Sequence, residues 1–259
     1  MTLIRRPPHP ALARHVRSYY GFSEETAAPL RRREGPGSSV VLVISFEHEW
    51  RIGDIKDSLR PFERHTSFIA GLRDSSVLTE HSGRSEGMQV NLAPTAAHAL
   101  VRLPMHELAG ETVALEAVLG GDAHRLVERI HGTSSWNARF ELLEAARAAR
   151  LEDVRPSPEI DWAWRRLESD GGRIRVATLS EELGWSRRRL VARFREEVGV
   201  PPKTVARLLR FERALDSMSA GAFPGWARLA ASCGYYDQSH LINDFRDITG
   251  TTPTAYVKP

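Results

Sequence analysis

At 259 residues and 41% hydrophobic content, the chain has room for one or two domains around a sizeable core. No apolar run approaches the ~20 residues of a membrane helix, and the opening MTLIRRPPHPALARHV holds no stretch of signal-peptide length, so a cytoplasmic protein is expected. The net charge is only +3, and the single cysteine, Cys233, excludes an internal disulfide and a multi-cysteine zinc site.

In chain order, Arg31, Arg32 and Arg33 read as a solvated loop. SSVVLVISF (38–46) is β-branched and apolar, and SFIAGL (67–72), SVLTEH (76–81) and GMQVNLAP (87–94) are shorter runs parted by RDS and SGRSEG. Short strands between turn-like stretches predict a β-sandwich or small barrel. The aromatic residues Tyr19, Tyr20, Phe22, Phe46 and Trp50 suit either a pocket lining or the core. His48, His65, His81, His98 and His106 form no HxH or HxxxH pair, so they are expected at the surface or core edge, with no metal and no cofactor. Pro94 opens a helical stretch, TAAHALVRL, and both DAHRLVERI and SWNARFELLEAARAARL space their apolar residues as helices do. The helices around 122–150 are candidates for dimer contacts.

Pro156 and Pro158 interrupt any helix arriving from Glu152, while Ser157 suits the cap of a new helix with Pro158 at its first position. This places a boundary near 151–157, between an N-terminal domain at 1–152 and a C-terminal one at 157–259.

The C-terminal domain contains a repeat. SRRRLVARFREEVG (186–199) returns fifty-one residues later as DQSHLINDFRDITG (237–250), with Leu, Phe, Arg and Gly in the same slots. Upstream, ATLSEELG (177–184) aligns with RLAASCG (228–234). Each unit reads as helix, glycine turn, helix, over about 176–199 and 226–250. Thr178 with Glu181 forms a capping-box pattern, Ser186 and Asp237 are placed to cap the second helices, and Gly184 and Gly234 suit left-handed helix ends. Trp185 and Tyr236 are positioned to staple onto Leu190 and Leu241. Cys233, where the first unit has Leu183, is expected as a small buried residue.

At 100° per residue, Leu190 and Phe194 turn inward while Arg188, Arg189, Ala192, Arg195 and Glu196 turn outward. In the second unit Leu241 and Phe245 turn inward, leaving Ser239, His240, Asn243, Arg246 and Asp247 outside. Arg suits guanine and phosphate, and Asn suits adenine. The candidate DNA contacts are Ser186, Arg187, Arg188, Arg189, Ala192, Arg193 and Arg195 in the first unit, and Gln238, Ser239, His240, Asn243 and Arg246 in the second. Arg173 to Arg213 holds eleven Arg/Lys against five Glu, a surplus of +6, whereas Ala214 to Pro259 holds three against four Asp, or −1. The first unit is therefore expected to carry most of the electrostatic affinity, with Asp247 repelling phosphate in the second. Between the units, PPKTVARLLRFERALDSM (201–218) runs without a breaker as a strut of about 25 Å, suited to two recognition helices in successive major grooves.

Residues 173–259 resemble the DNA-binding domain of the AraC/XylS family of transcription regulators. The resemblance rests on LSEELGWSRRRLVARFREEVGVPP and LAASCGYYDQSHLINDFRDITGTTPTAY, whose family pattern falls on Ala230, Gly234-Tyr235, Leu241, Phe245-Arg246, Gly250, Thr252-Pro253 and Tyr256. Two slots that often carry long polar side chains in the family hold Ala192 and Asn243, so no family member's target sequence transfers. HPALARHVRSYYGF and FIAGL give a weaker resemblance to the β-rich sensor domains of such regulators.

The expectation is thus an α+β protein: a β-rich N-terminal domain, a cupin-like barrel or sandwich with trailing helices, and an all-α domain of two helix-turn-helix units on a linker helix. The resemblance implies a non-enzymatic regulator with double-stranded promoter DNA, a small-molecule effector, a second copy of itself and, for an activator, RNA polymerase as partners. A constitutive regulator whose N-terminal domain only dimerises is one alternative, and a metal-dependent small-barrel enzyme with an accessory DNA-binding domain is another.

Overall fold

The protein was analysed as a computed structural model that describes residues 1–46, 48–57, 59–151, 157–219 and 225–256, with the backbone only over 147–151. Ten strands form two antiparallel sheets. The strands are β1 (Thr2–Arg6), β2 (Val16–Glu25), β3 (Leu30–Glu34), β4 (Val40–Ser45), β5 (Trp50–Asp54), β6 (Glu63–His65), β7 (Phe68–Ala70), β8 (Val77–His81), β9 (Arg84–Leu92) and β10 (Thr112–Ala114). One sheet runs β1-β2-β9-β4-β7-β10 and the other β3-β8-β5-β6. β4, β7, β8 and β9 arise from the four apolar runs. The remaining strands are very short or carry charges and glycine, which hides them from a hydrophobicity reading.

β3 corrects the expectation of a solvated arginine loop. Each arginine finds a partner there: Arg31 donates to Glu80 across the β3–β8 ladder, Arg32 to Glu24, and Arg33 to the carbonyl of Thr249. A strand with satisfied charges on both faces is stable where an unpaired arginine run would not be.

Helices α1 (Pro94–Val101), α2 (Leu115–Leu119), α3 (Gly121–His131) and α4 (Trp136–Leu151) follow β9 and β10. Tyr19 on β2 meets Phe140 of α4 with ring centroids 6.1 Å apart, and Ile130 and Leu143 join the same buried cluster. Gly21 permits this approach, because a Cβ there would lie 2.5 Å from the Trp136 ring. Among the described residues, the apolar sides of α3 and α4 thus pack on the chain's own core. Between the sheets, Val43, Ile52 and Phe68 form a separate small cluster beside a cavity.

The C-terminal region is helical: α5 (Pro158–Ser169), α6 (Val176–Glu182), α7 (Arg187–Glu197), α8 (Pro202–Ser219), α9 (Trp226–Cys233), α10 (Gln238–Thr249) and α11 (Pro253–Tyr256). The boundary read at 151–157 falls largely on residues outside those described. The hydrophobic core does not divide there. Leu179, Leu190, Phe194 and Val205 belong to one buried cluster with Met105, Leu108 and the strands, whereas Phe211, Leu229, Tyr235, Leu241 and Phe245 form a second cluster. The first helix-turn-helix unit is thus packed onto the N-terminal domain, and the second has a core of its own.

Candidate nucleic-acid interface and the adjoining cavity

In the first unit, α6 begins at Val176 with Arg175 as its cap and no side-chain cap bond. The Thr178–Glu181 capping box is therefore not formed, since Thr178 already lies inside the helix. Gly184 takes φ +64°, a turn that a side chain would strain. Ser186 Oγ then accepts the Arg189 amide at 3.2 Å and starts α7. Leu190 and Phe194 are fully buried, which fixes the helix rotation. Ser186, Arg187, Arg188, Arg189, Ala192 and Arg195 come out exposed on the other side. The Arg189 guanidinium lies 4.2 Å over the Trp185 ring.

Arg193 differs from the other arginines of α7. Its guanidinium donates to Glu197 at 2.6 Å, to Ser157 at 2.8 Å and to Glu196 at 2.7 Å. Glu197 is buried and also accepts the Ser157 amide. Arg193 thus neutralises a buried carboxylate and ties α7 to the start of α5. Ser157 does occupy the cap position of α5, but its hydroxyl donates to Glu197 rather than capping.

The second unit repeats this geometry with different side chains. Gly234 takes φ +82°, and Asp237 caps α10 by accepting the His240 amide at 2.7 Å. Leu241 and Phe245 are buried, and Gln238, Ser239, His240, Asn243 and Arg246 are exposed. The expected staple by Tyr236 is not made: Tyr236 is 92% exposed, and Tyr235 is the buried aromatic residue. Tyr235 sits edge-on to His240 and under the Arg210 guanidinium, and its burial raises the hydroxyl pKa. His240 Nδ1 accepts the Tyr236 amide, so its neutral ring carries the proton on Nε2, a donor suited to a purine N7 or carbonyl. Cys233 is buried, with Ser232 as its nearest polar neighbour.

The acidic residues of this unit have structural partners. Asp244 is buried and accepts from Arg207 of α8 at 2.5 Å, while Asp247 lies 3.3 Å from the same guanidinium. Their charge is answered by the linker helix, which moderates the repulsion expected of Asp247. At 18 residues α8 spans about 27 Å, and its buried Val205, Leu208, Leu209, Phe211 and Ala214 anchor it between the units.

The cavity between the sheets has a volume of about 400 Å³. Tyr20, Phe22 and Trp50 line it, whereas Tyr19 and Phe46 belong to the core on the other face of the large sheet. Inside, Arg32 forms two 2.7 Å hydrogen bonds with the buried Glu24, and His81 Nε2 lies 3.3 Å from the same carboxylate. These bonds hold the Glu24 carboxyl below its usual range, with Arg32 the leading cause. Glu34 lines the cavity with a side chain that remains exposed, and the protein packed around it raises its pKa. His81 is buried against Trp50, with ring centroids 5.4 Å apart. Among the described residues no three His, Cys, Asp or Glu side chains gather as a metal site.

Sequence reasoning gave no sign of how closely this cavity adjoins the second unit. A Cβ on Gly35, which lines the cavity, would lie 3.3 Å from the Tyr256 hydroxyl. The Ser38 amide and hydroxyl donate to Glu212 of α8 at 2.7 and 2.5 Å. Arg33 donates to Thr249 at 2.8 Å, and the Ser76 amide to the Ile248 carbonyl at 2.7 Å. The bonds to Thr249 and Ile248 close the carbonyl end of α10.

Residues 179–259 match the family model of a helix-turn-helix domain, and residues 4–114 match that of a domain of unknown function (DUF6597). No curated protein matches the chain. Among solved structures, ToxT from Vibrio cholerae is similar at 12% identity over 99% of this chain and 98% of that one, with a TM-score of 0.51. ToxT with a bound unsaturated fatty acid is similar at 11% identity over 92% of this chain and 94% of that one, also with a TM-score of 0.51. At these identities the likeness is one of fold. No helix among the described residues is long and apolar enough to cross a membrane. With two capped, glycine-turned units on one strut and the matched domain at its C-terminus, the chain is a DNA-binding transcription regulator of the AraC type.

Proposed function

We propose that this regulator answers a small-molecule effector held between its two sheets and acts on promoter DNA, and hence in the cytoplasm. The arginines at 187, 188, 189 and 195 anchor phosphates, while Ser239, His240 and Asn243 read base edges. The observation that supports effector control is the alternation along β3 and the loop after it. Arg32, Glu34 and Gly35 line the cavity, and Arg33, Gly35 and Ser38 touch α8, α10 or α11. A molecule that shifts this strand shifts the support of the second reading unit. ToxT, similar in fold, has been solved with an unsaturated fatty acid and with a naphthalenyl butenoic acid bound.

The test adds the small-molecule fraction of cells to the purified full chain and follows its melting temperature. A ligand that prefers the folded state raises it by an amount set by concentration over Kd. Ala70→Phe, which fills the cavity, should abolish that rise. A rise that survives the filled cavity places the effector elsewhere, and no rise at all favours a constitutive regulator.

A further inference from the structure

Two arginines line the cavity and differ in their partners. Arg32 is matched by the Glu24 carboxylate. Arg73 pairs with no carboxylate among the described residues, and its hydrogen bond is to the hydroxyl of Thr112 at 3.2 Å. Three acids act on it from a distance: Glu111 and Glu63 accept from Arg60, while Asp54 accepts the Lys56 amide at 2.7 Å and keeps its charge. Burial lowers the pKa of the half-buried Arg73, while the charges of Asp54, Glu111 and Glu63 oppose that shift without touching its guanidinium. An unpaired charge in such a place is costly, and a planar guanidinium fits a carboxylate through two parallel hydrogen bonds.

The rest of the cavity sets the shape of the guest. Arg73 bonds to Thr112, which pairs with Ala70 and through it with Val41, so this end is four residues, about 13 Å, along β4 from Ser45, whose partner Gly87 pairs with Phe22. The far end is walled by Phe22, Trp50 and Phe68, with the first two rings edge to face at 6.0 Å. Glu34 pairs with Val77 on the other sheet and lines the cavity as well.

We propose that the cavity takes a compact carboxylic acid, with its carboxylate on Arg73 and its apolar body reaching toward Phe22 and Trp50. This rests on reading the cavity as the effector site. Neutral sugars and amines leave Arg73 uncompensated, and a dianionic phosphate calls for more donors than one guanidinium and a threonine.

The full chain is titrated with octanoate and 4-phenylbutyrate, and with octanamide and 4-phenylbutanamide as uncharged isosteres, while melting temperature and tryptophan fluorescence are followed. The acids should bind about tenfold or more tighter than their amides, and Arg73→Gln should remove that preference. Arg73→Lys, which keeps the charge but loses the fork, should retain part of it. Without ligand, Arg73→Gln should melt no lower than the wild type, which separates lost binding from unfolding. Amides that match the acids, acids that do not bind, or a preference that survives Arg73→Gln would each overturn the assignment. If the cell fraction still stabilises the wild type but not Ala70→Phe, the carboxylate alone has failed. If the fraction does nothing, the effector reading has failed with it.

Discussion

The two helix-turn-helix units share one backbone plan but are attached to the molecule in different ways. The first has its core in common with the N-terminal domain: Gly199, just past α7, is packed so closely that a Cβ would meet the Met105 carbonyl at 2.9 Å. The second closes its own core around Phe211 and Phe245, whose rings are 5.0 Å apart, and meets the N-terminal domain mainly through hydrogen bonds from Arg33, Ser38 and Ser76, with small apolar approaches of Gly35 to Phe211 and of Ile55 to Gly250. Apolar burial is large and non-directional, whereas a hydrogen bond exchanged with water contributes about 1 kcal/mol net. One unit is therefore built in, and the other is held by contacts that a modest change at the cavity rim can alter. The charge follows the same division, with the basic surface on the fixed unit and the polar, nearly neutral surface on the adjustable one.

The largest effect should come from cutting the two cores. Phe194→Ala and Phe245→Ala each remove a buried ring, a loss of about 3–5 kcal/mol. In the first unit the loss should reach the N-terminal domain, lowering amide protection in β4 and β9 as well as in α7. In the second it should stay within α8 to α11. Hydrogen exchange resolves the two patterns, and equal spread from both variants would show that the cores are not separate in solution.

The next effect concerns DNA. Arg188→Ala with Arg189→Ala should weaken binding about 10–100-fold at moderate salt and reduce the salt slope by about 2, since two phosphate partners are lost. His240→Ala with Asn243→Ala should leave the slope nearly unchanged and relax base preference by about 1–3 kcal/mol per position. Arg193→Ala is the internal contrast: it should leave DNA affinity close to wild type while destabilising the fold by about 1–3 kcal/mol, because Glu197 and Ser157 lose their partner. Gel-shift titrations across salt concentrations distinguish all three, and equal losses from the two double variants would remove the division of labour.

How much of this was legible in the sequence follows from the kind of interaction. The recognition helices were, because Leu190, Phe194, Leu241 and Phe245 recur at helical spacing and the glycine turns recur with them. Arg193 was not, because it sits beside the outward face and only the buried Glu197 across one turn draws it in. Tyr235 and Tyr236 are adjacent aromatic residues, and packing against Arg210 and His240 decides which of them is buried. β3 was hidden for the same reason. Three arginines carry no apolar pattern, and the partners that make them a strand, Glu80, Glu24 and the Thr249 carbonyl, lie 49, 8 and 216 residues away. The cavity was half visible, in that its aromatic residues were named but alternation on the folded sheet turns Tyr20 toward the cavity and Tyr19 into the core beneath the helices.

The smallest effect is one of pH, and it addresses whether the cavity and the second unit are coupled at all. Shielding raises the pKa of Glu34, with Arg32 and the Thr79 hydroxyl opposing the rise. A group whose folded pKa is raised contributes its full stabilisation below the ordinary glutamate value of about 4.3 and loses it as pH climbs through the folded value. Glu34 should therefore contribute a fall in stability with rising pH across the mildly acidic range, and Glu34→Gln should remove that part of the slope. Glu168 on α5 is raised by burial too, against the ion pair from Arg17, while Glu24 and Glu63 are lowered by their arginine partners and act with the opposite sign, so Glu34→Gln keeps a pH dependence of its own. The difference between the two proteins isolates Glu34. Burial raises the Tyr256 pKa and the charge of Glu34 adds to the rise, which puts Glu34 within electrostatic reach of α11. Amide exchange in α10 and α11 should then change with pH in the wild type and less in Glu34→Gln, while α7 stays indifferent. A response shared by α7 would mean that the cavity speaks to the whole molecule rather than to the unit held by hydrogen bonds.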